Sequence, residues 1–153
     1  MRIFVVMGME ELEKRLQALE DERSILDTLY RYGHSIDYGW RAEWLDCWTP
    51  DAVLVWPHHT FTGLEEIGQA FDDHSHAPEA FHKHLLIEPR VKLAGDNATA
   101  DSYFARLNNS PEGPVTRSFG RYRDRLVRCQ DGQWRMEHRV CERESLIPDA
   151  PIT

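Results

Sequence analysis

The stretch YRYGHSIDYGW, residues 30–40, ends a long helical pattern and puts a phenol, Tyr32, and a carboxylate, Asp37, at positions where a core-facing Leu or Ile is expected. A buried phenol can donate a hydrogen bond, and a buried carboxylate can orient a base or take a proton. The two residues are five apart, about 140° around an ideal helix. They converge only if the helix unwinds near Gly33 or if Asp37 lies beyond its last turn. A second cluster is His82-x-His84, two imidazoles on one strand face by period 2. Imidazoles do acid–base chemistry or hold metals. Eight histidines, with His58-His59 and His74-x-His76 among them, raise the metal reading. A strand HxH pair still needs a third ligand and outer-shell partners, and no carboxylate at fixed spacing supplies one. The expectation is no metal.

The elements that must carry these groups read as helices first and strands after. Leu12, Leu16 and Leu19 start an apolar stripe that Leu26, Leu29, Gly33 and Ile36 continue, predicting a helix from Met9 to about Asp37. Gly39 is its stop. A short helix is expected over 42–48 and a strand over 52–56, and Thr62 with Glu65 matches a capping box opening a third helix to about Asp73. Residues 72–79, DDHSHAPE, read as a loop. Strands are predicted over 81–93, 99–109, 115–128 and 133–145, separated by the turns Gly95-Asp96-Asn97, 110–114 and Asp131-Gly132. This order means an α+β fold with helices against one face of an antiparallel sheet.

A two-residue turn at Asp131-Gly132 pairs Tyr122 with Cys141, Asp124 with Arg139 and Leu126 with Glu137, and on the other face Arg121 with Glu142, Arg123 with Val140 and Arg125 with His138. The arginine-rich face reads as solvated, so Gly120, Tyr122, Leu126 and Cys141 face the helices and Arg139 points inward beside Asp124. The same register keeps Cys129 away from Cys141. On the preceding hairpin His84 lies opposite Asn109 or Leu107, and periodicity does not say which face is buried.

At 153 residues the chain is one domain with room for a real core. Its formal charge of −8 argues against a nucleic-acid footprint. No apolar run reaches the ~18 residues of a membrane span. Three cysteines without CxxC spacing read as reduced thiols and point to a cytoplasmic protein. Residues 1–8, MRIFVVMG, are expected to be a ragged start, residues 9–147 the domain and 148–153 a tail.

The residues Ile25-Leu26-Asp27-Thr28-Leu29-Tyr30-Arg31-Tyr32, then Asp37, the run from Trp44 to Ala52, Gly63, Ile67, the His82/His84 strand, Gly120 to Asp124 and Asp131 to Arg135 together resemble the NTF2-like superfamily, specifically its SnoaL-like branch. Scytalone dehydratase, the bile-acid 7α-dehydratase and the hexachlorocyclohexane dehydrochlorinase belong to that branch. The resemblance covers about residues 20–145 and implies a cone-shaped α+β barrel, a curved sheet closed around a pocket by three helices. It implies an Asp–His dyad at Asp37 and His84, an active-site Tyr at Tyr32 and an active-site Arg at Arg139. His82 and Asn109 are the nearest matches to a second pocket His and an Asn; Tyr122 and Trp56 are expected to line the substrate.

A carboxylate hydrogen-bonded to one imidazole nitrogen leaves the other as a base near neutral pH. Tyr32 would hydrogen-bond a carbonyl or departing hydroxyl, and Arg139 would stabilise developing negative charge. This set suits a cofactor-free lyase, dehydratase first, or an isomerase acting on a small, cyclic, mostly hydrophobic substrate, in a homo-oligomer (dimer or trimer) with no nucleic-acid or membrane partner. The bland alternatives are that Asp37 caps the helix end, Tyr32 is core, and Arg139 only pairs with Asp124. A non-catalytic ligand binder, a protein-interaction subunit, a cyclase or an epoxide hydrolase would use the same cone.

Overall fold

The computed structural model describes residues 8–145, so residues 1–7 of the expected ragged start and the tail at 148–153 lie outside it. The elements run α1 (Met9–Tyr38), α2 (Arg41–Asp46), β1 (Trp48–Trp56), β2 (His59–Thr62), α3 (Gly63–Asp72), β3 (His82–Ala94), β4 (Asn97–Ser110), β5 (Gly113–Arg128) and β6 (Trp134–Arg143). The architecture is α+β, as expected. One six-stranded sheet has the order β2-β1-β6-β5-β4-β3. All pairs are antiparallel except β1 with β6, which is parallel. The sheet is open, with β2 and β3 as its edges, so the expected barrel is not closed by strand pairing.

The α1 helix buries only its C-terminal two-thirds. Asp21, Ile25, Thr28, Leu29, Tyr32, Gly33 and Ile36 face the sheet, while Leu12, Leu16 and Leu19 are 49%, 54% and 65% exposed. The predicted stripe therefore holds from Leu29 onward and fails before it, because no described element lies beneath the first three turns. The burial begins at Asp21, which accepts hydrogen bonds from Arg128 (2.5 and 2.6 Å) and from the Trp134 indole (3.1 Å). Thr28 Oγ1 donates to the Trp134 carbonyl at 2.7 Å. Trp44, Trp48, Leu54, Ile67, Leu126, Trp134 and Met136 complete the core between helices and sheet. In α3 the capping box is half made: the Thr62 N–H donates to Glu66, not Glu65, at 2.7 Å.

Of four register shifts among the described strands, those on β6 and β3 bear on the predicted pairs. On β6 the predicted pairs Tyr122–Cys141, Asp124–Arg139, Arg121–Glu142, Arg123–Val140 and Arg125–His138 all form, but Leu126 meets Met136 instead of Glu137. The extra residue switches which parity faces inward, so Trp134 and Met136 are buried together with Arg139. On β3 the register shifts between Ile87 and Arg90, with Glu88 at φ 50. Beyond this bulge His84 pairs with Arg106 and His82 with Asn108, which differs from both predicted partners of His84. The outer arginines pair with acids across strands, Arg121 and Arg123 with Glu142 and Arg125 with Glu137, as a solvated face does.

Candidate active site

The last turn of α1 meets β3 because residue 33 has no side chain. A Cβ there would stand 2.8 Å from the His84 carbonyl oxygen. One helical turn later, Asp37 reaches the same strand residue twice. Its Oδ2 accepts the His84 backbone N–H at 3.0 Å, and its Oδ1 lies 2.7 Å from His84 Nδ1. A carboxylate acceptor requires that Nδ1 carry the hydrogen, which leaves Nε2 with a lone pair. The helix neither unwinds near Gly33 nor ends before Asp37. Tyr32 and Asp37 are buried on different sides of α1, Tyr32 among the core aromatics and Asp37 against His84 of β3.

Around this pair stand two more imidazoles. His82 is buried, its Nε2 lies 3.5 Å from Asp37 Oδ1, and that nitrogen makes no hydrogen bond among the described residues. His74, from the loop after α3, is buried edge-on to His82 with ring centres 4.8 Å apart and lies 5.5 Å from the His84 ring. Its Nδ1 sits 2.7 Å from the Ser75 carbonyl and so must donate to it. The loop is tied to α1 by the Ala77 N–H, which donates to the Asp37 carbonyl (2.9 Å), and by His76, whose nitrogens contact the carbonyls of Ile36 and Phe71. Burial disfavours the charged form of all three imidazoles near Asp37. It pushes His74 down to about 2 and His82 to about 4, and lowers His84 despite the opposing pull of Asp37. Arg106, opposite His84, adds to the lowering in each case.

Tyr32 lies on the core side. Its hydroxyl oxygen accepts from the Trp56 indole N–H at 3.3 Å, so its own proton remains to be given elsewhere. Burial raises its pKa to about 12, which keeps that proton on. The Arg139 guanidinium lies over the Tyr32 and Tyr122 rings, 4.2 and 4.1 Å from their centres. Asp124 holds it from the far side by two hydrogen bonds of 2.7 Å. Arg139 is wholly buried; its Nη1 makes no hydrogen bond among the described residues. A cavity of about 210 Å³ between α1 and β3 is lined by Leu29, Tyr32, Gly33, His84, Leu86 and Tyr122, among others. His84, with 11% of its side chain exposed, is among the residues that line it.

The structure thus gathers Asp37, His82 and His84 into one cluster and joins Tyr32, Trp56, Tyr122 and Arg139 to its side. Asn109 does not join them. It is exposed and pairs with Pro114, and Asn108 takes the inner-face place opposite His82. Of the tryptophans at 40–56, Trp40 is exposed and stacks on Tyr38, Trp44 and Trp48 are core residues whose rings lie 5.9 Å from that of Tyr32, and Trp56 donates to the Tyr32 hydroxyl. Sequence reading missed Arg106, whose place depends on the β3 bulge. It also missed His74, which a loop carries in; its one signal was the histidine density of residues 74–84.

A model of the SnoaL-like domain matches residues 17–140. No curated protein matches the sequence. Among solved structures, an NTF2-like protein with a cystatin-like fold from Novosphingobium aromaticivorans aligns with TM-score 0.80 at 23% identity, over 89% of this chain and 90% of its own. A Mycobacterium tuberculosis protein of unknown function aligns with TM-score 0.76 at 25% identity, over 88% of this chain and 83% of its own. A Catenulispora acidiphila protein, solved in complex with S-DNPA, aligns with TM-score 0.69 at 23% identity, over 80% and 92%. The domain model spans most of the sequence and the structural neighbours share its fold: this chain belongs to the SnoaL-like domain family.

Proposed function

We propose that this protein is a cofactor-independent lyase or isomerase that takes a proton from carbon beside a carbonyl, with His84 as base. The observation that carries this reading is the 2.7 Å contact between Asp37 Oδ1 and His84 Nδ1 on a ring that burial keeps neutral. Asp37 fixes the tautomer, and Nε2 accepts the proton. Tyr32, whose oxygen already accepts from Trp56, donates to the substrate carbonyl as charge builds on it. In a dehydration the imidazolium then returns its proton to the departing hydroxyl, releasing water and restoring neutral His84. In an isomerisation the proton returns to a different carbon. Both are redox-neutral and balance without a co-reactant. Arg139 serves as a positioning residue, a cationic platform that Asp124 locks beneath Tyr32 and Tyr122. Membership of a SnoaL-like family, with one neighbour holding a small ligand, supports a small-molecule substrate. Leu29, Leu86 and the tyrosines favour a mostly hydrophobic one.

A non-catalytic protein-interaction member of the family is the second reading, favoured by the small size of the cavity. Its 210 Å³ falls below the ~300–1,000 Å³ usual for small-molecule sites. The test is proton exchange. A panel of small cyclic ketones and β-hydroxy ketones is incubated with the protein in D₂O and followed by mass spectrometry for deuterium at the α-carbon and for loss of water. Catalysed exchange that His84→Ala and Asp37→Asn abolish, with the fold retained by circular dichroism, is expected. Exchange undiminished in His84→Ala, or ligand binding with no exchange across the panel, overturns the assignment.

A further inference from the structure

We propose that Asp37, His82 and His84 also form a binding site for a divalent transition-metal ion of the imidazole-preferring kind, Zn²⁺ being the reference case. Each residue offers one ligand atom, and these atoms lie within 4.8 Å of one another. The carboxylate that no spacing in the sequence could supply to His82-x-His84 arrives from the end of α1. The second observation is His82 itself. Its Nε2 is buried, makes no hydrogen bond among the described residues, and stands 3.5 Å from Asp37 Oδ1. A buried nitrogen left without a partner is destabilising, and a cation between it and the carboxylate would remove that cost.

The geometry is near what a metal needs. Ligand atoms about 2.0–2.1 Å from a tetrahedral Zn²⁺ are about 3.3–3.4 Å apart. The His82–Asp37 separation of 3.5 Å already fits, and the His84–Asp37 separation of 2.7 Å must open by about 0.6 Å, a small turn of the His84 ring. The carboxylate is held for the purpose, because its other oxygen is pinned by the His84 backbone N–H at 3.0 Å. His74, with Nδ1–H committed to Ser75 and its ring centre 4.8 Å from that of His82, keeps a lone pair on Nε2 that could accept a hydrogen bond from a metal-bound water. Coordination through His84 Nδ1 sends that proton to Nε2, so the ring stays neutral while its free nitrogen loses the lone pair. The metal-loaded form and the form able to act as a base exclude each other, yet binding itself does not depend on any reaction.

The test is a titration of chelator-treated protein with Co²⁺, read by its visible ligand-field absorption, and with Zn²⁺ in competition against a chromogenic chelator. One ion per chain is expected, and His82→Asn and Asp37→Asn should each weaken it ~10-fold or more. A His58→Asn/His59→Asn double variant should bind as the parent does. Because site variants can disturb the fold, Zn²⁺ is also added to the unaltered protein while histidine ring nitrogens are followed by NMR; His82 Nε2 and His84 Nδ1 should shift together. Absence of binding, binding that follows His58 and His59, or shifts that spare His82 overturns the site.

Discussion

Gly33→Ala tests how the two halves of the site are held together. In an exposed helix this change stabilises by ~1 kcal/mol, because Ala is the better helix former. Here the added Cβ would stand 2.8 Å from the His84 carbonyl oxygen, 0.6 Å short of the 3.4 Å at which ordinary contact begins. The neighbour is backbone in a paired strand, so α1 and β3 must separate. Asp37 lies one turn further along the same helix. An opening of that size would take its contacts with His84 from 2.7 and 3.0 Å to about 3.3 and 3.6 Å, beyond the usual hydrogen-bond range. Overpacking costs ~1–3 kcal/mol and each weakened hydrogen bond ~0.5–1.5 kcal/mol. Set against the helix gain, the net expectation is a loss of about 1–5 kcal/mol. Urea unfolding measures it as a lower midpoint at unchanged slope. A midpoint raised by the equivalent of ~1 kcal/mol would show that helix propensity decides the outcome and that close approach at Gly33 positions nothing.

Three other outcomes are expected. Asp124→Asn leaves the buried Arg139 guanidinium without its counter-charge and should cost ~3–5 kcal/mol in urea unfolding; a cost under ~1 kcal/mol would mean Arg139 finds another partner or water. His82 and His74 are held neutral in the fold but titrate near 6.5 when unfolded, so below that pH the unfolded chain binds more protons and stability falls. Each contributes a slope of ~1.4 kcal/mol per pH unit, ending near pH 4 for His82 and near pH 2 for His74; a His82→Phe variant should be less acid-sensitive over pH 6.5–4, and an unchanged slope would contradict the assignment. The expected homo-oligomer would use the outer face of β3–β5, where Leu85, Ile87, Tyr103 and Phe119 are 37–57% exposed, so Tyr103→Asp should shift a dimer or trimer to monomer in sedimentation, whereas a parent that already sediments as a monomer would remove the expectation.

How far the sequence could be read depended on whether local rules applied. Counting from a two-residue Asp131-Gly132 turn is one residue out beside the turn, where Arg128 pairs with Trp134, and the bulge at Glu137 restores it, so five counted β5–β6 pairs form and Asp124 meets Arg139 on the inner face. Counting cannot see a bulge: on β6 the miscounted pair, at Leu126, lies between the turn and Glu137, and on β3 the error at His84 lies beyond Glu88. The second error hid that Asn108, not Asn109, lies opposite His82 and that Arg106 lies opposite His84. Leu12, Leu16 and Leu19 have helical spacing whether or not anything covers them, so periodicity could not tell their exposure from the burial of Leu29 and Ile36. The short edge strand β2, with two histidine-flanked residues ahead of its aromatic, carries too little pattern to be seen. Asp37 and His84 are 47 residues apart, and nothing in either segment pairs them; their partnership was readable only through family resemblance. His74 enters the cluster through backbone and side-chain bonds of its loop to the end of α1, a contact no local pattern encodes.

The most direct test of the dyad is the protonation state of the His84 ring, read by long-range ¹H–¹⁵N NMR across pH. At pH 7 the ring should be neutral with its hydrogen on Nδ1, and should stay neutral below pH 6.5, since burial lowers its pKa while Asp37 holds the Nδ1 proton. In Asp37→Asn that single-tautomer signature should vanish. A charged ring at pH 7, or a neutral one with its hydrogen on Nε2, would contradict a base oriented by Asp37.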